Sequence, residues 1–367
     1  PLDVVGVSIP GSPMVILGHN RAIAWGMTNA YVDDADLFLE RVDPADPGRY
    51  LAPGGSMPFE VVAESIAVKG RADPVALEVR RTRNGPVIPV DGVGDSLLVS
   101  ARWTALGPVG SVAGVLGLNR ATDWESFLRA VDALEDPHQN LVYADTAGHI
   151  GYVLGGTVPL RGDRRPPPVA PVPGWTGEWD WTGELPFDEH PRALDPARGF
   201  IVTANNRQTV EPIGEIISAS WEDPFRAMRI TEMLEAGGPY DAERMLAMQM
   251  DVLDVFARRY RGRAVEAAHA IGDPATAALL EGWDLRAAGD SREATVFYAW
   301  VEIVRRAAAR DLYRGDPGYF PRKTLSELLE NRSLAWREDG SAAYAALAAD
   351  AMQAARPLAE GRAWERA

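Results

Sequence analysis

The spacing of apolar residues changes at about Pro224, and that change bounds the possible folds more tightly than any other feature of the chain. Up to Asn205, apolar residues fall in short runs broken by Gly, Pro, Asn and Asp, which is the pattern of strands joined by turns. Residues 59–68 are rich in Val and Ile, and Leu77 and Val79 alternate with charged neighbours. Asn84-Gly85-Pro86 reads as a turn, and 97–103 and 200–204 read as strands. Residues 140–145 and 149–154, either side of Thr146-Ala147-Gly148, predict a hairpin. Residues 161–183, first rich in proline and then in tryptophan, read as ordered loop. One helix is expected within this half, over 122–135, where Thr122 and Glu125 have capping-box spacing. Its Trp124, Phe127, Leu128, Val131 and Leu134 form a stripe that should face a sheet.

Beyond Pro224 the spacing is helical. A helix over 225–236 stops at Gly237-Gly238, Asp241 can cap the next, Asp290 with Glu293 opens a long one to about Leu312, and 341–355 is a further alanine-rich helix. The expectation is an α+β protein, strand-rich over 1–224 and helical over 225–367.

Within the strand-rich half, chemistry is expected around residues 14–40. An apolar run at 14–17 enters Gly18-His19-Asn20-Arg21, a second at 22–25 leaves it, and Gly26 would allow a sharp bend before Asn29. Asp33, Asp34 and Asp36 then crowd together, and they repel one another unless hydrogen bonds, an arginine or a hard cation compensates.

Composition removes several function classes. With 52 acidic against 37 basic residues the net charge is -15, which opposes binding to nucleic acid or an anionic membrane. The absence of cysteine excludes disulfides, thiolate zinc sites and a thiol nucleophile. The five histidines (His19, His138, His149, His190, His269) are scattered without helical pairing, which argues against zinc catalysis. Gly6-Val7-Ser8-Ile9-Pro10 lacks the second glycine and the following helix of a nucleophile elbow. Glu178-Trp179-Asp180-Trp181 admits a sugar-site reading, against the plainer one of a loop packed by its indoles. His19 reads as a hydrogen-bonder in a turn, and Asn205 either as a turn residue or as an oxyanion donor. No run reaches the roughly twenty apolar residues that a membrane span requires. The chain opens on Pro1 without a signal peptide, as expected of a processed chain or an excised piece.

Residues 10–40 closely resemble the penicillin acylase (penicillin amidase) family of N-terminal-nucleophile hydrolases. The resemblance continues through Arg81-Thr82-Arg83-Asn84-Gly85-Pro86-Val87, Leu118-Asn119-Arg120-Ala121, Asn140-Leu141-Val142-Tyr143-Ala144-Asp145, Pro171-Val172-Pro173-Gly174-Trp175, Ala204-Asn205-Asn206-Arg207 and Phe225-Arg226-Ala227. Together these cover about the first 230 residues in the family's order, which is far more specific than any single motif.

The resemblance implies an αββα four-layer sandwich, here truncated at both ends, and an amidohydrolase acting on a linear amide such as a penicillin side chain or an N-acyl homoserine lactone. Family members cut themselves into two chains, and the exposed N-terminal Ser of the larger one attacks the amide with its own α-amine as base. That Ser would lie before Pro1, so this chain alone is expected to be inactive and to need the small chain of the same precursor. The family's backbone oxyanion donor falls at Asn29, its side-chain donor at Asn205, and an arginine beside the nucleophile's amine at Arg226. Leu17, Met27, Tyr31 and Gln139 align with the acyl pocket. Asp33, the Ala35 carbonyl, Asp36 and the Pro168 carbonyl align with calcium ligands, with Glu215 or Glu211 as a further carboxylate. A periplasmic or secreted location and no organic cofactor are also implied. The competing expectation is an inactive, calcium-stabilised extracellular binding module of the same fold.

Overall fold

The computed structural model describes residues 2–90, 96–107, 110–209, 212–313, 322–335 and 337–359. The chain divides into two compact units, Pro1–Trp221 and Glu222–Ala367. The first unit begins with β1 (Val5–Val7), β2 (Leu17–His19), β3 (Ile23–Asn29), β4 (Ala35–Asp43) and β5 (Asp46–Ala52). Next come β6 (Gly55–Pro58), β7 (Glu60–Ile66), β8 (Val75–Thr82), β9 (Gly85–Ile88) and β10 (Leu97–Trp103). Helices α1 (Ser111–Arg120) and α2 (Trp124–Asp132) precede β11 (Gln139–Asp145), β12 (Ile150–Gly155), β13 (Pro159–Arg161) and β14 (Val172–Pro173). The unit closes with β15 (Trp181–Glu184), β16 (Arg192–Leu194) and the short α3 (Ile213–Ile217).

Two large sheets and the small pair β13-β15 organise these strands. One has the order β1-β2-β3-β11-β12-β16 with antiparallel pairing. The other runs β6-β5-β4-β10-β9-β8-β7, with β14 parallel to β4. Alternation along β3 and β11 sends Ile23, Trp25, Leu141 and Tyr143 to one face of the first sheet, where they share a core with Leu118, Phe127 and Val131 from α1 and α2. The expected stripe does face a sheet. Trp124, Phe127 and Tyr143 pack together with ring centroids 5.0 to 5.5 Å apart, and Trp124 lies so close over Gly151 that any Cβ there would sit 2.3 Å from the indole.

In the second sheet a buried carboxylate is fixed by a polar turn. The side chains of Thr82, Asn84 and Ser100 all donate to Glu40 Oε1, at 2.8 to 2.9 Å. Gly85 makes this possible, because at φ +117° it brings the backbone to where a Cβ would be 2.1 Å from the Ala101 carbonyl.

Several local expectations change. The α2 capping box is Asp123 with Ser126, one residue along from Thr122 and Glu125, because the Asp123 carboxylate reaches the Ser126 N–H at 2.8 Å. Gly26 makes no bend: β3 runs unbroken through it opposite Val142, and the chain turns beyond Asn29, with Tyr31 at φ 54°. Residues 200–204 form no strand, whereas Trp181–Glu184, expected as loop up to Gly183, pairs with β13. Asp180 is held bidentately by Arg83 at 2.8 and 2.6 Å and Glu178 by Arg165, so these carboxylates are structural ion pairs and the sugar-site reading falls.

The second unit is helical: α4 (Phe225–Glu235), α5 (Ala242–Gln249), α6 (Val255–Ala270), α7 (Pro274–Glu281), α8 (Arg292–Tyr313), α9 (Arg322–Asn331) and α10 (Gly340–Ala359). Val296, Phe297, Trp300 and Val304 of α8 form the centre of its core, and the Trp300 indole donates to the Ala348 carbonyl at 3.0 Å. Asp241 caps α5 as expected, whereas α8 is opened by Ser291, which accepts from the Ala294 N–H, rather than by Asp290.

Candidate active site

Asn29 ends β3 opposite Gln139, the first residue of β11. The Ala30 N–H donates to the His138 carbonyl at 3.2 Å, so that opposed pair is a bonded rung. Because bonded and non-bonded pairs alternate in an antiparallel ladder, the Asn29 N–H and C=O point away from β11. They face the edge that β2 flanks only as far as Trp25. Asn205, 176 residues away in sequence, reaches that same edge, where its Nδ2 donates to the Asn29 carbonyl at 2.9 Å.

Local chemistry explains why Asn205 can do so. It sits at φ 66°, a region that Asn tolerates better than most residues. Asn206 holds the turn around it, accepting from the Ala204 N–H at 3.2 Å and from Gln208 Nε2 at 3.0 Å. Asn29 is fixed in turn by its neighbours. Gln139 Nε2 donates to Asn29 Oδ1 at 3.0 Å, the closeness expected of a non-bonded pair. Asn140 Nδ2 lies 3.3 Å from the Asn29 carbonyl, and its Oδ1 accepts from the Tyr152 hydroxyl at 2.8 Å. Burial pushes the Tyr152 phenol well above its ordinary pKa, so it stays a neutral donor.

Among the residues expected to line an acyl pocket, Gln139 is buried, Leu17 and Met27 are half-buried and Tyr31 is exposed. Met27 packs against the core beneath α1 and α2, opposite Leu141. Gln139 stands beside Asn29, and its amide is engaged with it. Arg226 lies exposed in the first turn of α4, in the second unit. There it lines a cavity of about 840 Å³ with Phe225, Met233, Met245, Phe256 and Tyr298.

The acid cluster is resolved by dispersal. Asp33 Oδ2 accepts from the Ala219 N–H at 2.7 Å and the Ser218 hydroxyl at 3.2 Å, which ties the segment after α3 to the start of β4. Asp34 turns to the Trp103 indole N–H at 3.0 Å. Asp36 Oδ2, fully buried, accepts from Arg161 Nε at 2.6 Å and from Trp181 Nε1 at 2.5 Å. Arg161 Nη2 also donates to the Asp33 carbonyl at 2.6 Å. Arg161, completely buried, is thus the main counter-charge, and the sequence reading passed over it as the first residue of a loop. Its only signal was an arginine closing the apolar run 158–160.

The donor set suits calcium in its chemistry, since Asp33, Asp36 and the carbonyls of Ala35 and Pro168 all offer oxygen. The bonds above all use Oδ2 of the two carboxylates. Burial holds the Asp33 carboxyl above its ordinary range and neighbouring Asp36 adds to this, a strain that a dication would relieve. Glu215 is exposed in the first turn of α3, and Glu211 lies outside the described residues.

Residues 1–366 match the penicillin amidase family model. The chain is 33% identical to penicillin acylase 2 proenzyme of Pseudomonas sp. (strain SE83), over 84% of this chain and 39% of that protein. It is 34% identical to acyl-homoserine lactone acylase QuiP of Pseudomonas aeruginosa, over 69% of this chain and 31% of that one. The chain therefore spans well under half the length of these relatives. A solved structure of a thermostable penicillin G acylase from Alcaligenes faecalis superposes with a TM-score of 0.75 at 24% identity, covering 97% of this chain and 70% of that chain.

Proposed function

This chain belongs to the penicillin amidase family and has the α+β N-terminal-nucleophile fold, and from that premise we propose that the protein carrying it is an amidohydrolase releasing an acyl group from a linear amide. The attacking group is the hydroxyl of an N-terminal Ser upstream of Pro1, exposed by autocatalytic cleavage of a precursor whose small chain stays bound. The Ser oxygen adds to the amide carbonyl while its α-amine takes the proton. The tetrahedral intermediate collapses as the leaving amine accepts that proton, and water then hydrolyses the acyl-enzyme.

The residues of this chain act on the charge that develops on the carbonyl oxygen. The Asn29 N–H and the second hydrogen of Asn205 Nδ2 donate to it, two fixed dipoles that need no reorganisation during the reaction. The observation that supports this most directly is the 2.9 Å bond between Asn205 Nδ2 and the Asn29 carbonyl, which holds both donors at one strand edge. Leu17, Met27 and Tyr31 give the acyl pocket an apolar lining, and Gln139 adds a polar group.

In this reading Asp33, Asp36 and the carbonyls of Ala35 and Pro168 would hold a structural calcium ion, which would supply positive charge to the turn after Asn29 and take no part in bond making. In this reading the protein works in the periplasm or outside the cell. No described helix is long and apolar enough to cross a membrane. The test is to assay the intact, processed protein against N-acyl amides, including penicillins and N-acyl homoserine lactones, and measure the released amine. Absence of turnover on every amide, with the Ser in place and the chains cleaved, would favour the binding-module alternative.

A further inference from the structure

We propose that Asp34, Asp136 and His138 form a zinc site in the first unit, separate from the oxyanion residues and from the oxygen ligands of Asp33 and Asp36. His138 is only 7% exposed, and its Nε2 lies 2.5 Å from the Thr157 carbonyl. A carbonyl can only accept, so Nε2 carries the proton and the lone pair of the neutral ring is on Nδ1. That nitrogen is aimed at two carboxylates, 3.5 Å from Asp34 Oδ2 and 3.3 Å from Asp136 Oδ1. One donor atom from each of the three residues lies within 4.8 Å of the others.

The two spacings from His138 Nδ1 fit one ion. Four-coordinate zinc with bonds of about 2.0 to 2.1 Å places neighbouring donor atoms about 3.3 to 3.4 Å apart along the edges of the tetrahedron. The supporting contacts have the form found around metal ligands. The Thr157 carbonyl orients the imidazole, and the Trp103 indole N–H holds Asp34 Oδ2 at 3.0 Å. The Thr104 N–H donates to the Asp34 carbonyl, which fixes the backbone of that ligand. A cleft of about 630 Å³, lined by Trp103, Thr104, Glu135, Asp136 and Thr157, reaches the cluster at Asp136. The nitrogen donor selects against calcium and magnesium, which prefer oxygen, and in favour of zinc. Sequence alone could not assemble the set, because Asp34 lies about a hundred residues from its partners.

The test uses the intact protein, stripped of metal and titrated with zinc by calorimetry in the presence of excess calcium. The expected result is one tightly bound zinc per chain, an affinity at least about tenfold lower in Asp136→Asn, and loss of the site in His138→Gln. Cobalt in place of zinc should give the strong visible absorption of a four-coordinate ion. If His138→Gln does not fold, Asp136→Asn and the cobalt spectrum decide. Absence of zinc uptake, uptake that neither variant changes, or a cobalt spectrum of the hydrated ion would show instead that a protonated His138 bridges the two carboxylates without metal.

Discussion

Asn205 and Arg161 carry the account at the scale of single residues, and they were not equally visible. Asn205 stood out once a motif drew attention to it, although its bland reading as a turn residue is also true: it is in a turn, at φ 66°. Arg161 was missed because nothing in a linear sequence shows that an arginine after an apolar run will be wholly buried against an aspartate 125 positions earlier. Its substitution should be costly. In Arg161→Leu the Asp36 carboxylate would remain buried without its partner, and breaking such pairs costs about 3 to 5 kcal/mol. Chemical denaturation should place the variant's midpoint clearly below that of the parent. An unchanged midpoint would mean that Asp36 is compensated by something else.

Strands and turns were legible wherever local chemistry decides them. The 139–155 hairpin, β10 and α4 follow from alternation, turn residues and helical spacing. The errors came where tertiary pairing overrides local preference: 200–204 looks like a strand but forms none, and Trp181–Glu184 looks like loop but pairs with β13. One clamp between elements could not be foreseen. Asp195, just after β16, accepts from the Ile150 N–H at 3.0 Å and pairs with His149 Nδ1 at 2.7 Å, which fastens the edge strand to the hairpin. The hydrogen bond with Asp195 raises the His149 pKa above its ordinary value, and the same bond lowers that of Asp195. The His149 contribution is therefore complete below the unfolded imidazole pKa and is lost as pH rises through the raised value. The Asp195 contribution is complete above the unfolded carboxyl pKa and is lost as pH falls through the lowered one. The clamp should hold best in mildly acidic solution. NMR titration should find the His149 ring pKa raised and should see it fall back in Asp195→Asn, and equal values in the two proteins would contradict the pairing. At β9, Gly85→Ala adds a Cβ 2.1 Å from the Ala101 carbonyl at φ +117°, and a loss of more than about 1 kcal/mol is expected from the thermal midpoint.

Apolar spacing changes near Pro224, and the chain forms two compact units, Pro1–Trp221 and Glu222–Ala367. The acidic balance points away from polyanionic partners and is compatible with a small-molecule enzyme. The candidate site is legible only in part: Asn29 and Asn205 can be picked out, but their meeting at one strand edge comes from the fold. Two outcomes belong to this scale. The 367-residue chain alone should release no amine from any N-acyl amide, and activity should require the upstream Ser and the small chain. Stripping metal from the intact protein should lower its thermal midpoint, with calcium restoring what the Asp33 and Asp36 ligands contribute. Zinc alone should not restore that part, and recovery with zinc but not calcium would refute the calcium assignment.

The most direct test of the oxyanion assignment is the kcat/KM of Asn205→Gly in the intact, processed enzyme. Glycine adopts φ 66° without strain, so the substitution removes the amide donor and leaves the backbone unstrained. A fall of about 100- to 1000-fold, carried mainly by kcat and with an unchanged thermal midpoint, is the predicted result. Turnover equal to that of the parent enzyme would contradict the claim that Asn205 and Asn29 together stabilise the oxyanion.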